Sequence, residues 1–266
     1  MYLGLFKCFF HITPGMKTFV IGDIHGAWRA MRQVLDASRF DYETDRLICL
    51  GDVADGWPEV RQCFDELLKI RDMVYILGNH DWWLLQWFKF GHTPMIWTSQ
   101  GGTASIRSYL ELEGDQQTEV IRRHEKLLDQ AVYYYVDDQN RAFVHGGFDW
   151  HRPIGDQERS SGESSIYTWD RHLISTAWYW ESQQRWNLKN REIAGLKFGD
   201  YKKIFIGHTS TSRWDPLLHP LKLTNLWALD QGAGWEGKLT LMDVDTHEYW
   251  QSAIVAELYP EVGGRG

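Results

Sequence analysis

A chain of 266 residues, 43% hydrophobic and 24% charged, has the composition of an ordinary globular protein, long enough for one large domain or two small ones. A formal net charge of -8 works against a non-specific grip on nucleic acid, which needs clustered Lys and Arg. Three cysteines, Cys8, Cys49 and Cys63, show no metal-ligand spacing and no Cys-x5-Arg loop. That excludes a disulfide framework and thiolate phosphatase chemistry, and points to a reducing, cytoplasmic setting.

No apolar run reaches the roughly 18 residues of a membrane-spanning helix, so no membrane partner is expected. Residues 1–15 are apolar but lack a basic start and a small-residue cleavage site. They read as an extension added to a single domain over 16–266. From there, short buried strands are expected at 18–21, 47–50 and 74–77. Between them, helix-period apolar residues occupy 27–37 and 59–70, with Pro58 suited to a first helical turn. Residues 80–130 read as helical and Trp-rich. Strands follow at 132–136, 142–145, 204–206, 226–229, 239–244 and 249–252, and the polar stretch 155–165 reads as a loop ahead of another helix. The pattern predicts an α+β domain, with two packed mixed β-sheets flanked by helices.

Five motifs each put a metal-competent side chain just after an apolar strand: GDIHG at 22–26, GDVAD at 51–55, GNHD at 78–81, HGG at 145–147 and GHT at 207–209. Strand C-terminal ends are where such folds gather their sites, and glycines let the backbone approach closely. Each motif alone is ordinary. Gly-Asp after a strand is commonly a turn, and a lone His is commonly a hydrogen-bonded core residue. Five in this order are not, and their carboxylates, imidazoles and amide form a mixed N/O set suited to Mn, Fe, Zn or Co. The segment 232–238 also fits the start of a P-loop. Leu239 follows instead of Ser or Thr, and a strand follows instead of a helix, so a glycine-rich turn is expected there.

The motif order resembles the phosphoprotein phosphatase branch of the calcineurin-like metallophosphoesterases, over residues 16–253. The closing LDQGAG at 229–234 is similar to bacterial and phage members, and GHTS lacks the second His of the GHxH in other branches. The resemblance implies a four-layer sandwich holding two divalent ions, manganese first, with iron, zinc or cobalt as alternatives. Asp23 and His25 would bind one ion, Asp52 would bridge both, and Asn79, His145 and His208 would complete the second site. His80 would be the general acid, held by Asp55. Hydrolysis would be direct attack of metal-activated water on phosphorus.

One position departs from the family. The phosphate-gripping Arg of its GDxVDRG motif is Gly56 here, followed by Trp57. Trp169-Asp170-Arg171 resembles a second family pattern, so Arg171 is the expected remaining clamp. The main reading is a protein phosphatase acting on phosphoserine, phosphothreonine or phosphotyrosine in a protein, or on a small phosphoester. The alternative is a nucleotide-directed phosphoesterase, such as a dinucleoside tetraphosphate hydrolase or RNA-end phosphatase. The third is a silent metal-binding interaction module, against which the intact ligand set argues. Trp83 and Trp87 share a helical face and are expected in the core, or else in an aromatic wall beside the site.

Overall fold

The computed structural model describes residues 15–157, 165–186 and 197–265. Most of the expected extension 1–15 and of the loop 155–165 therefore lies outside the described residues.

The first sheet begins with β1 (Thr18–Ile21), β2 (Arg46–Cys49) and β3 (Asp72–Tyr75), which are parallel neighbours. Their crossovers carry α1 (Trp28–Ser38) and α2 (Val60–Leu67). On the other side of β1, β9 (Thr240–Asp243) and β10 (Tyr249–Gln251) add antiparallel, giving the order β10-β9-β1-β2-β3. The second sheet runs β4-β5-β6-β8-β7, from β4 (Tyr134–Val136), β5 (Arg141–Val144), β6 (Lys203–Ile206), β7 (Leu221–Leu223) and β8 (Leu226–Ala228). In it β5, β6 and β8 are parallel.

Strand alternation sorts the side chains into layers. Val20, Ile48, Leu50 and Ile76 meet Phe143, Phe205 and Leu229 between the sheets. The Phe143 and Phe205 rings stack there, 4.9 Å apart. The opposite faces, Phe19, Ile21 and Leu47, pack on Met31, Val34, Val60 and Phe64 of α1 and α2. Behind the second sheet, the single-turn α7 (Ile166–Trp169) leads into α8 (His172–Trp186), whose Leu173, Ile174 and Ala177 cover Ala142, Val144 and Ile206. Each fully buried aliphatic or aromatic side chain contributes roughly 1.5–3 kcal/mol. The layers are helix, sheet, sheet, helix, as expected.

β2 and β3 start one and two residues earlier than their apolar runs suggest. The reason is a cross-strand ion pair: Arg46 stands opposite Asp72 and its Nε donates to Asp72 Oδ1 at 3.1 Å. Polar strand starts leave no apolar signal. The sequence reading also missed β7, whose hairpin turns through Thr224 at φ 58° without a glycine. It missed as well the single-turn α9 (Val255–Leu258). The expected helical middle is four segments: α3 (Asn79–Phe90), α4 (Met95–Trp97), α5 (Thr103–Leu110) and α6 (Gly114–Asp129). A wide turn through Gly101 (φ 99°) separates α4 from α5. The glycine-rich 232–238 closes as a turn, Gly237 N–H donating to Gly232 carbonyl at 2.9 Å, and leads into β9. The P-loop reading falls with it. Among the described residues no helix is long and apolar enough to cross a membrane.

Candidate active site

β1, β2, β3, β5, β6 and β8 each run directly into a loop that delivers a polar side chain to one buried cluster. The loops are tied to one another. Asp52 carbonyl accepts from the N–H of Ile24 (3.0 Å) and His25 (2.9 Å). The buried Asp81 carboxylate accepts four N–H groups, from Asp52 (2.8 Å), Val53 (2.9 Å), Ala54 (3.1 Å) and Gly78 (3.1 Å). Burial first and Asp52 second push Asp81 up to about 6. The strands also close in tightly. A Cβ on Gly78 would lie 2.1 Å from Asp52 Oδ1, and one on Gly207 would lie 2.1 Å from Asp23 Oδ1.

Four of the nine non-glycine residues with positive φ among the described residues lie here. His25, Asp52, Asp55 and His208 adopt left-handed φ values of 48°, 49°, 73° and 64°. Each costs a non-glycine residue roughly 1–2 kcal/mol, which the surrounding hydrogen bonds must offset.

The side chains form two overlapping groups, Asp23, His25, Asp52 and Asp52, His145, His208, within each of which the donor atoms lie within 4.8 Å of one another. Asp52 belongs to both. His25 Nδ1 pairs with Ala54 carbonyl at 3.0 Å and must donate, which leaves Nε2 facing Asp52 Oδ2 (3.7 Å) and Asp23 Oδ2 (4.0 Å). His145 Nδ1 likewise donates to Leu50 carbonyl at 2.8 Å. Its Nε2 is 3.3 Å from Asp52 Oδ2 and 3.2 Å from Asn79 Oδ1. His208 N–H donates to both Asp23 oxygens, at 3.1 and 3.0 Å.

Electrostatics divide the carboxylates. Burial opposes charge on Asp52, but the His145 and His80 imidazoles hold it well below the usual range. Burial also opposes charge on His145, and Asp52 nonetheless raises it to about 9. Asp23 goes up, through burial and then the buried carboxylate of Asp230 just after β8. Three carboxylates converging in one desolvated space are unfavourable unless a cation joins them. The donor set fits a divalent transition metal. His208 Nε2 is moreover buried with no hydrogen-bond partner, as a ligand awaiting its ion would be.

Beside this cluster, His80 Nδ1 donates to Asp55 Oδ2 at 2.5 Å, and His80 Nε2 is buried and unpartnered. Asp55 is itself fixed by Trp97 Nε1 (2.8 and 2.9 Å to its two oxygens) and by Ser105 Oγ (2.6 Å). Trp83 is buried and stands edge-on to His80 (5.1 Å) and to Trp169 (5.4 Å), and Trp169 in turn stands on His208 (5.7 Å). Trp83 is thus wall and core at once, too buried to stack a ligand.

Eight of the nine predicted site residues meet in this cluster: Asp23, His25, Asp52, Asp55, Asn79, His80, His145 and His208. The ninth, Arg171, is exposed and touches none of them, although its field reaches His208 and Asp52. Sequence reasoning missed the roles of Asp81 and Asp230, both inside quoted motifs. It also missed Trp97, Ser105 and Arg265, for which no local signal exists. Cys49 and Cys63 are buried, and burial pushes both thiols up, away from nucleophilic use.

A four-layer fold with Asp, His and Asn groups at its strand ends defines a phosphoesterase built around divalent metal. The chain belongs to the calcineurin-like phosphoesterase family, whose model matches residues 16–212. It is 26% identical over 285 residues to the symmetrical bis(5'-nucleosyl)-tetraphosphatase of Pseudomonas fluorescens, covering 88% of this chain and 93% of that one. It is 26% identical over 223 residues to serine/threonine-protein phosphatase 1 of Salmonella typhimurium, covering 84% and 89%. Among solved structures, a proposed diadenosine tetraphosphatase superposes with a TM-score of 0.57 at 16% identity, over 88% of this chain and 92% of the other.

Proposed function

We propose that the chain hydrolyses nucleoside polyphosphates, cleaving a dinucleoside tetraphosphate symmetrically, and that it does so with two divalent ions, manganese first. Of the three sequence readings, the nucleotide-directed alternative gains most from the comparisons. The observation that carries the chemistry is the buried Asp/His/Asn cluster with unpartnered Nε2 atoms on His80 and His208. What carries the substrate class is similarity to bis(5'-nucleosyl)-tetraphosphatases across nearly their whole length.

Asp23 and His25 would hold one ion, Asn79, His145 and His208 the other, and Asp52 both. When bound, such a pair supplies Lewis-acid charge to the phosphoryl oxygens and makes water acidic enough to attack phosphorus. The protein's own part is positional. Donation of Nδ1–H to Asp55 leaves His80 Nε2 as the atom that would pass a proton to a departing oxygen basic enough to need one, and otherwise a donor to the oxygen as it leaves. Trp97 and Ser105 keep Asp55 from turning away. Arg171 offers a guanidinium at the mouth for the phosphate chain. The similarity to a serine/threonine-protein phosphatase keeps phosphoprotein as the second reading.

The deciding test is a comparison of kcat/KM for Mn-loaded protein on diadenosine tetraphosphate, a phosphoserine peptide, nitrophenyl phosphate and a phosphodiester. The tetraphosphate should lead, with ADP as the only nucleotide product. A phosphopeptide preferred over it, or ATP and AMP as products, would overturn the proposal.

A further inference from the structure

Position 56 is glycine, so it presents no side chain to a phosphate. The space beside it is filled from elsewhere. A Cβ built on Gly56 would lie 3.1 Å from Cγ of Arg265. Trp57 does not compete for that space. Its indole donates to Ala233 carbonyl at 2.7 Å and stacks on Tyr259. Gly101 and Gly234 border the same arginine, since Cβ atoms there would lie 3.3 Å from its Cγ and 2.7 Å from its Cδ. Three glycines from three separate loops thus form a slot around the aliphatic stem of one residue.

The slot fixes where the guanidinium goes. Arg265 N–H donates to Gly234 carbonyl at 2.9 Å, which anchors the backbone. Nη2 donates to Gln100 Oε1 at 3.3 Å, and the guanidinium carbon lies 5.2 Å from the ring centre of Trp235. Nη1 donates to His25 Nε2 at 3.2 Å, and Nε is buried without a partner. The head group therefore stands at the candidate ligand cluster with donors to spare. Arg171, though exposed as a whole, has its guanidinium lowered by partial desolvation and then by the repulsion of the nearby Arg265 and Arg213. A cation bound by His25 would take the Nε2 lone pair, and Nη1 would then need another acceptor.

We infer that Arg265 is the phosphate clamp that position 56 lacks, delivered through the glycine slot to bind phosphoryl oxygens of the substrate. This rests on the reading that the site takes a phosphoryl group. Planar, paired donors suit such an oxygen pair better than a single ammonium does.

The test uses the full Mn-loaded chain and the variants Arg265→Ala and Arg265→Lys. Three quantities are measured: bound metal, affinity for inorganic phosphate by calorimetry, and the separate kcat and KM of the best substrate. Arg265→Ala should weaken phosphate binding and raise KM by roughly 10- to 100-fold with metal content unchanged. Arg265→Lys should recover part of the loss. Unaltered phosphate affinity and KM in Arg265→Ala would overturn the clamp while leaving the function standing. So would a variant that binds more metal and turns over faster, because Arg265 would then be an internal occupant of the site. Wild-type protein that neither binds phosphate nor hydrolyses any ester would sink the functional reading and the clamp together.

Discussion

The floor of the site and its rim are held by different means. On the floor, Asp23, His25, Asp52, Asn79, His145 and His208 are all buried, and each follows a strand within a few residues. Their positions are set by the sheet ladders and by loop-to-loop hydrogen bonds centred on Asp52 carbonyl and Asp81. On the rim, Arg171 precedes α8, Trp235 sits in a turn at 46% exposure, and Arg265 comes from beyond α9. Nothing periodic positions these. The floor is thus fixed by regular structure close to each residue, and the rim by contacts between segments far apart in the chain. The ligand cluster is therefore encoded by short local motifs, whereas its surroundings are assembled from pieces distant in sequence.

The floor should be the more fragile under substitution. Asp52 is common to both ligand groups and takes the His80 N–H on Oδ1 at 3.0 Å. Asp52→Asn should lower kcat by on the order of 10³-fold or more, and metal analysis should find a drop in bound ion. Chelation of the wild type should abolish activity, with manganese restoring it. Full activity in metal-stripped protein would end the comparison, because the floor would then have no chemical role.

The acid position between floor and rim should discriminate among leaving groups. His80→Ala removes a proton donor whose assistance contributes roughly 10²–10⁴ in rate. That loss should appear with phosphoserine, whose alkoxide leaves poorly. It should be far smaller with nitrophenyl phosphate or diadenosine tetraphosphate, whose leaving anions are already stable. Equal losses on all three, read from kcat, would reduce His80 to a supporting role beside Asp55 and Trp83.

How much was legible follows the same division. The strand-end motifs gave the floor because a short apolar run followed by Gly and Asp or His is a local pattern, and β1, β2, β3, β5 and β6 each carry one. The layered architecture came from the same runs. What escaped was made by contact at long range. Trp97 reaches Asp55 across 42 positions and Ser105 across 50. Arg265 meets His25 across 240. Gly56 read as a lost arginine, and only the folded chain brings Arg265 to the vacated side. β7 escaped for a different reason, being three residues long with a turn that uses Thr224 in place of glycine.

The smallest effect on activity, and a control for the rest, lies behind the floor at Glu66 on α2. Its carboxylate is buried and takes four donors: Tyr42 Oη (2.6 Å), Arg32 Nη1 (2.8 Å), Lys69 Nζ (2.8 Å) and Trp28 Nε1 (3.2 Å). Burial alone would raise its pKa, but these donors bring it down to about 2, from an ordinary 4.5. A depressed carboxylate stabilises the fold above its unfolded pKa and loses that contribution as pH falls through the folded value. Glu66→Gln should therefore cost about 2–3 kcal/mol at neutral pH, measured by urea unfolding. The gap to wild type should hold from pH 7 down to about 5 and close as pH approaches 2. Turnover should stay within about twofold of wild type, because the carboxylate's partners, Trp28, Arg32, Tyr42 and Lys69, all lie outside the site and substitutions at well-separated positions act independently. A gap that persists unchanged near pH 2 would mean that packing, and not charge, holds α1 and α2 together here. A large loss of turnover would mean that the helices behind the first sheet set the geometry of the floor, and that the two regions are less separate than their construction suggests.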